Sequence, residues 1–141
     1  MKKKLQDRLY KKYPKIFVQK DLDMTQTAMC WGLSCNDGWY DLLDVLCGQI
    51  QDQIDYSVKN GLHNGTVPIP QVEATQVKEK FGVLCFYHSG GNEYLAGMIS
   101  MAESMSSRIC EECGRPGQTK GPGWFYTRCP GCFQKLKKYK G

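Results

Sequence analysis

Two cysteine pairs near the C-terminal end constrain this chain more than any other feature. Cys110 and Cys113 stand in the run CEECG, Cys129 and Cys132 in CPGC, with two residues inside each pair and fifteen between the pairs. Two intervening residues let a tight turn aim both sulfurs at one metal ion, and a second pair of the same spacing closes a tetrahedron. This is the pattern of a four-thiolate zinc site. Gly114 follows the first pair and Gly131 lies within the second. Small residues there allow backbone amides to turn toward the sulfurs. Between the pairs, Gln118 to Gly123 reads as a hairpin tip and Trp124-Phe125-Tyr126-Thr127 as a strand, so the segment reads as a zinc ribbon. Four protein thiolates leave no open coordination position for an activated water. One zinc ion held by Cys110, Cys113, Cys129 and Cys132 is therefore expected to be structural, contributing folding energy to a segment too small for its own core.

A chain of 141 residues is one ordinary domain. No apolar run approaches the ~20 residues that span a bilayer, so no membrane partner is expected. The basic run MKKKLQDRLYKKYPKIF has neither an apolar core nor a small-residue cleavage site and does not read as a secretory signal. Eight cysteines in that context point to a reducing compartment, the cytoplasm of a cell or of an infected host. Charge is segregated. Residues 1–20 carry +7 and residues 133–141 carry +4, so with a total of +5 the body between them stands at −6. Basic ends can contact phosphates or an acidic protein surface, or can be solvated termini, and an acidic body argues against wrapping a duplex.

The periodicity predicts an α+β fold: three helices packed on a short antiparallel β-hairpin, with a C-terminal four-cysteine zinc ribbon. The first helix is expected at 4–13, with Leu5, Leu9 and Tyr13 on one side and Pro14 as its stop. The second is capped by Asn36 or Asp37 and carries Trp39, Leu42, Leu43, Leu46, Cys47, Ile50, Ile54 and Val58 on one face. Asn60-Gly61 is its expected left-handed stop, and His63-Asn64-Gly65-Thr66 a loop. Strands are expected at about 71–79 and 82–88 around a turn near Lys80-Phe81-Gly82. A third helix, about 92–108, has the stripe Leu95, Met98, Ile99, Ala102, Met105 and Ile109, its methionines reading as core gap-fillers. The core spans 1–109. The ribbon and its basic tail, 110–141, continue directly from the third helix as one compact unit.

Cys47 and Cys85 read as core thiols. Cys30 and Cys35 stay open between ordinary thiols and donors to a second metal, four residues being loose spacing. The two histidines are His63 and His88. His88 beside Gly90-Gly91 could face a phosphate at a helix start, but glycines there are also ordinary turn chemistry. The fifteen residues between the cysteine pairs contain no histidine, as a nuclease built on such pairs would need, and no acid–base constellation is legible, so the chain does not read as an enzyme. Arg115, Lys120, Arg128 and the tail lysines, interleaved with Trp124, Phe125, Tyr126 and Tyr139, suit a single-stranded nucleic acid. Trp124 and Tyr126 read instead as packing the ribbon on the third helix, with Tyr139 open.

Asp37-Gly38-Trp39-Tyr40-Asp41-Leu42, Gln76-Val77-Lys78-Glu79-Lys80-Phe81-Gly82 and Cys110-Glu111-Glu112-Cys113-Gly114 occur in this order. Over about residues 36–132 this combination resembles a group of small phage and prophage zinc-ribbon proteins. In size, metal cassette and charge asymmetry the chain is also similar to zinc-containing phage anti-CRISPR proteins. That resemblance implies an inhibitor of a host defence protein, a type II CRISPR effector nuclease above all, that blocks the loading or cleavage of target DNA. The alternative is a nucleic-acid-binding accessory or regulatory protein working through its basic ends and ribbon.

Overall fold

The computed structural model describes residues 1–64, 67–121 and 123–140, with the side chains of 62–64 and 137–140 outside the description. The element order is α1 (Lys3–Lys12), β1 (Leu33–Ser34), α2 (Tyr40–Asn64), β2 (Glu73–Lys80), β3 (Val83–Ser89), α3 (Glu93–Ser106), β4 (Gln118–Lys120), β5 (Tyr126–Arg128) and α4 (Pro130–Lys140). Three short 3-10 turns lie before α2. The class is α+β, as expected, with a cysteine cluster at the C-terminal end, but there are four described helices and two small sheets.

The first sheet has the order β1-β2-β3. β2 and β3 form the expected hairpin, and β1 pairs parallel to β2 through Leu33 and Val77. Two residues carry no period, which is why β1 was invisible in the sequence. Phe81 and Gly82 close the hairpin with φ of 53° and 84°. Both central residues are left-handed, as the right-handed twist of a two-residue hairpin requires. Alternation then sends Val77, Leu84 and Phe86 into the core, where they join Leu43, Leu46, Cys47, Ile50 and Ile54 of α2 and Leu95, Ile99 and Ala102 of α3. Asn92 caps α3, its side chain accepting the Leu95 N–H at 3.0 Å.

α2 departs from expectation in four ways. Trp39 is fully buried but lies in a 3-10 turn before the helix. Neither Asn36 nor Asp37 caps α2. Asn36 instead donates its backbone N–H to Glu111 Oε2 at 3.0 Å, and Asp37 accepts the Lys2 N–H at 2.8 Å. The helix runs through Asn60-Gly61 to Asn64, so the predicted stop is passed; Asn60 Nδ2 bonds the Tyr56 carbonyl one turn back. Val58 lies exposed beyond the end of the core. His63 and Asn64 are thus helical, while Gly65 and Thr66 of the expected loop lie outside the described residues.

The basic N-terminal stretch is folded down. Leu9 of α1 and the following Ile16 and Phe17 are buried. Tyr13 donates to Asp44 Oδ1 at 2.6 Å and Lys12 Nζ to the same oxygen at 2.8 Å. Part of the positive charge of the first twenty residues therefore answers the acidic side of α2 within the molecule.

Candidate metal centre and surrounding surfaces

The four predicted ligands are brought together. The Sγ atoms of Cys110, Cys113, Cys129 and Cys132 all lie within 4.8 Å of one another, and Cys113 and Cys129 are 3.7 Å apart. A tetrahedron with metal–sulfur arms of about 2.3 Å has edges of about 3.8 Å, so the cluster is of the size that encloses one metal ion. Cys110, Cys129 and Cys132 are buried and Cys113 is exposed.

Each pair is held differently. The first sits in a tight loop closed by an antiparallel bridge between Ile109 and Pro116. Within it the Cys110 N–H donates to the Arg115 carbonyl at 2.7 Å and the Gly114 N–H to the Cys110 carbonyl at 2.9 Å. Gly114 takes a φ of 81° there, as its position after the pair suggested. The second pair is not a matching loop, and here the ribbon expectation is corrected. Cys129 immediately precedes α4, Pro130 is its first residue and Cys132 lies in its first turn. Proline suits that position because its φ is pre-set and it has no N–H to leave unpaired. The Cys132 N–H donates to the Cys129 sulfur and pulls that thiol down to about 7. Cys129 is thus the capping residue of α4, and the helix dipole favours its thiolate. Burial pushes the Cys132 thiol up to about 12. The Arg115 N–H draws Cys113 down, while burial and its neighbouring thiols raise it on balance. Cys113 and Cys132 thus hold on to protons that a cation would displace.

Between the pairs, β4 and β5 form a hairpin with Thr119 opposite Thr127. The strand starts at Tyr126, two residues later than expected, and Trp124 and Phe125 belong to the tip. Arg128, nearly buried, ion-pairs with Glu112 at 2.5 Å and lies over the Tyr126 ring at 5.4 Å. Its positive charge stands close to the Cys110 thiol. Four thiolates on a divalent ion carry a net −2, so Arg128 and the α4 N-terminus offset charge that would otherwise be buried.

The cassette is welded to the core at a point the sequence did not reveal. A Cβ on Gly38 would lie 2.1 Å from the Cys110 carbonyl oxygen and 2.5 Å from the Glu111 carbonyl carbon. That approach allows the Gly38 N–H to reach the Glu111 carbonyl at 2.7 Å and the Trp39 indole N–H the Ile109 carbonyl at 2.9 Å. The buried Glu111 carboxylate, its pKa raised by desolvation, accepts the Asn36 N–H. On the other side Thr127 donates its hydroxyl to the Gly82 carbonyl. Thr127 also accepts the Glu111 N–H at its carbonyl at 2.9 Å, so the stretches around Gly38, Gly82 and Cys110 are linked through Glu111 and Thr127.

Other expectations resolve individually. Cys47 is buried, but Cys85 is only half-buried because alternation puts it on the sheet face opposite Leu84 and Phe86, where it contacts Tyr87. Cys35 is buried, its thiol pushed up to about 12 by desolvation, and Cys30 is exposed. Among the described residues neither joins a metal-ligating group. His88 stands 6.2 Å from the Phe86 ring, and the amide at the start of α3 is already taken by Asn92. The His63 and Tyr139 side chains lie outside the described residues. Trp124 is 66% exposed and Phe125 45% exposed, so Trp124 does not pack the cassette on α3. Nor do the methionines simply fill the core. Met98 is half-buried, whereas Met101 and Met105 are exposed and, with Val45 of α2 and Tyr94 of α3, line an apolar groove between the two helices. No described helix is long and apolar enough to cross a membrane.

No protein-family model, curated protein or solved structure was found to match the chain.

Proposed function

We propose that this is a zinc-braced protein that acts by binding another protein, as a non-catalytic inhibitor of a host defence nuclease in the cytoplasm of an infected cell. A type II CRISPR effector is the partner that the resemblance to phage proteins implies. Zinc is the ion assigned to the quartet because an all-thiolate tetrahedron of this size suits it. Its role is to fix the junction that sets α2 and α3.

The groove between α2 and α3 carries the proposal. Leu42, Val45, Leu46, Tyr94, Met98 and Met101 line it, and Glu93 stands at its edge. Asp41 and Asp52 are exposed on α2 four residues before and seven after Val45, hence on the same side of the helix. No Lys or Arg occurs in 39–58 or 93–107. Polarisable methionines inside an acidic rim fit a basic, partly apolar protein surface, such as the one a nuclease presents to nucleic acid.

Binding of a purified type II effector nuclease to the zinc-loaded protein, followed by biolayer interferometry, tests it. Val45→Lys and Met101→Lys alter exposed side chains and should weaken binding by about 30-fold or more with little effect on folding. Absence of binding to such effectors, or full binding by both variants, refutes the proposal.

A further inference from the structure

A second surface, remote from the groove in its chemistry, is formed where two hairpin tips meet. The β2–β3 tip is Phe81-Gly82 and the β4–β5 tip includes Trp124 and Phe125. Thr127 of β5 bonds the Gly82 carbonyl and touches Thr119 of β4 hydroxyl to hydroxyl. A Cβ on Gly82 would come within 2.9 Å of Thr119 and 3.5 Å of the Phe125 backbone. The tips are therefore held in fixed relation before any ligand arrives. Phe81, Trp124 and Phe125 are all exposed. Lys80 Nζ lies 5.8 Å from the Phe81 ring centroid. Lys78 follows on the same face of β2 as Lys80, because strand residues two apart share a face.

Phe81 is the telling residue. It is the one non-glycine among the described residues with a positive φ. A bulky side chain there is an outlier, and Asn-Gly is the pair such a turn favours. A ring 71% exposed at a position that penalises it is a strained outlier of the kind that clusters at ligand-contacting sites. Exposed rings interleaved with lysines are the combination on which bases stack while phosphates find cations.

We infer that the joined tips form a stacking platform for single-stranded nucleic acid, with Phe81, Trp124 and Phe125 under the bases and Lys78 and Lys80 on the phosphates. The platform stands independently of the groove between α2 and α3, and either surface can fail its test while the other passes.

The test uses fluorescence anisotropy of a labelled oligothymidylate of about twenty nucleotides with the zinc-loaded full chain. Binding should quench Trp124 emission and weaken with salt at a log–log slope of about −1.4, as two single-strand phosphate contacts require. Phe81→Asn separates binding from folding: it should keep or raise the melting temperature while weakening binding about 5- to 100-fold. Trp124→Ala should weaken it similarly. The inference is overturned if the oligonucleotide does not bind, if F81N and W124A bind like the parent, or if a duplex competes equally. It is also overturned if Trp124 drives self-association in sedimentation while the oligonucleotide is ignored, since the rings would then serve a protein contact.

Discussion

Replacing Gly38 with alanine should force apart the two backbone segments that join the cassette to the core. The new Cβ would lie 2.1 Å from the Cys110 carbonyl oxygen and 2.5 Å from both the carbonyl carbon and the oxygen of Glu111. These are backbone atoms on the loop that carries two ligands, so they cannot rotate aside as a side chain could. Relief requires the loop and the turn at Asp37–Trp39 to part. Parting them breaks the bond from the Gly38 N–H to the Glu111 carbonyl and strains those from Trp39 to Ile109 and from Asn36 to Glu111. Two neutral bonds at about 1 kcal/mol each, and one to a buried carboxylate at about 1.5–3 kcal/mol, set the loss at roughly 3–5 kcal/mol. For a domain of this size that lowers the melting temperature by roughly 10–15 °C. Calorimetry of the zinc-loaded protein measures it, with Gly97→Ala as the control. Nothing lies within 4 Å of a Cβ at Gly97 in the interior of α3, so that change should stabilise by about 0.5–1 kcal/mol. A Gly38→Ala protein within about 0.5 kcal/mol of the parent, below the scale of one hydrogen bond, would show that cassette and core are not joined as described.

Metal analysis of protein purified without chelator should find about one zinc per chain, and Cys113→Ser should abolish it. The same variant should disorder the cassette and keep most of the far-ultraviolet helical signal, because α2 and α3 have their own buried faces; a structured, zinc-free cassette in its NMR spectrum would refute the site. Asp44 supplies a pH-dependent contribution. Burial alone would raise its pKa, but the bonds from Lys12 and Tyr13 prevail and hold it below the usual carboxylate range. Its contribution is therefore present above the unfolded-state value and lost as pH falls through the lowered one. Asp44→Ala should cost about 1–2 kcal/mol near neutrality, and urea titrations should show the gap closing under strongly acidic conditions; a gap independent of pH would refute it.

What was legible in the chain was local. Two residues between thiolates, the β-formers of Val83 to His88, and the period of Leu95, Ile99 and Ala102 each reflect geometry within a few neighbouring residues, and the structure matches each. The α4 helix had a local signal too. Pro130 directly after Cys129 suits a first helical position, and Lys135 and Leu136 further on are helix formers, but the two-residue cysteine spacing points to a second loop.

The sequence by itself determined the α+β class, the four cysteines that cluster and the approximate places of the core strands and helices, since short-range spacing decides these. Tertiary structure decided which of these residues meet and which stay exposed. A glycine reveals nothing of the backbone that will press against it from more than seventy residues away, so Gly38 became a junction only in the fold. Nor does periodicity say whether an apolar stripe will be covered. Met105 fits the period of a buried face as well as Leu95 and Ile99 do, and only the placing of α3 against α2 leaves it exposed in the groove. Phe81 and Trp124 belong to hairpins far apart in the chain, and the bond from Thr127 to Gly82 brings their tips together at one surface.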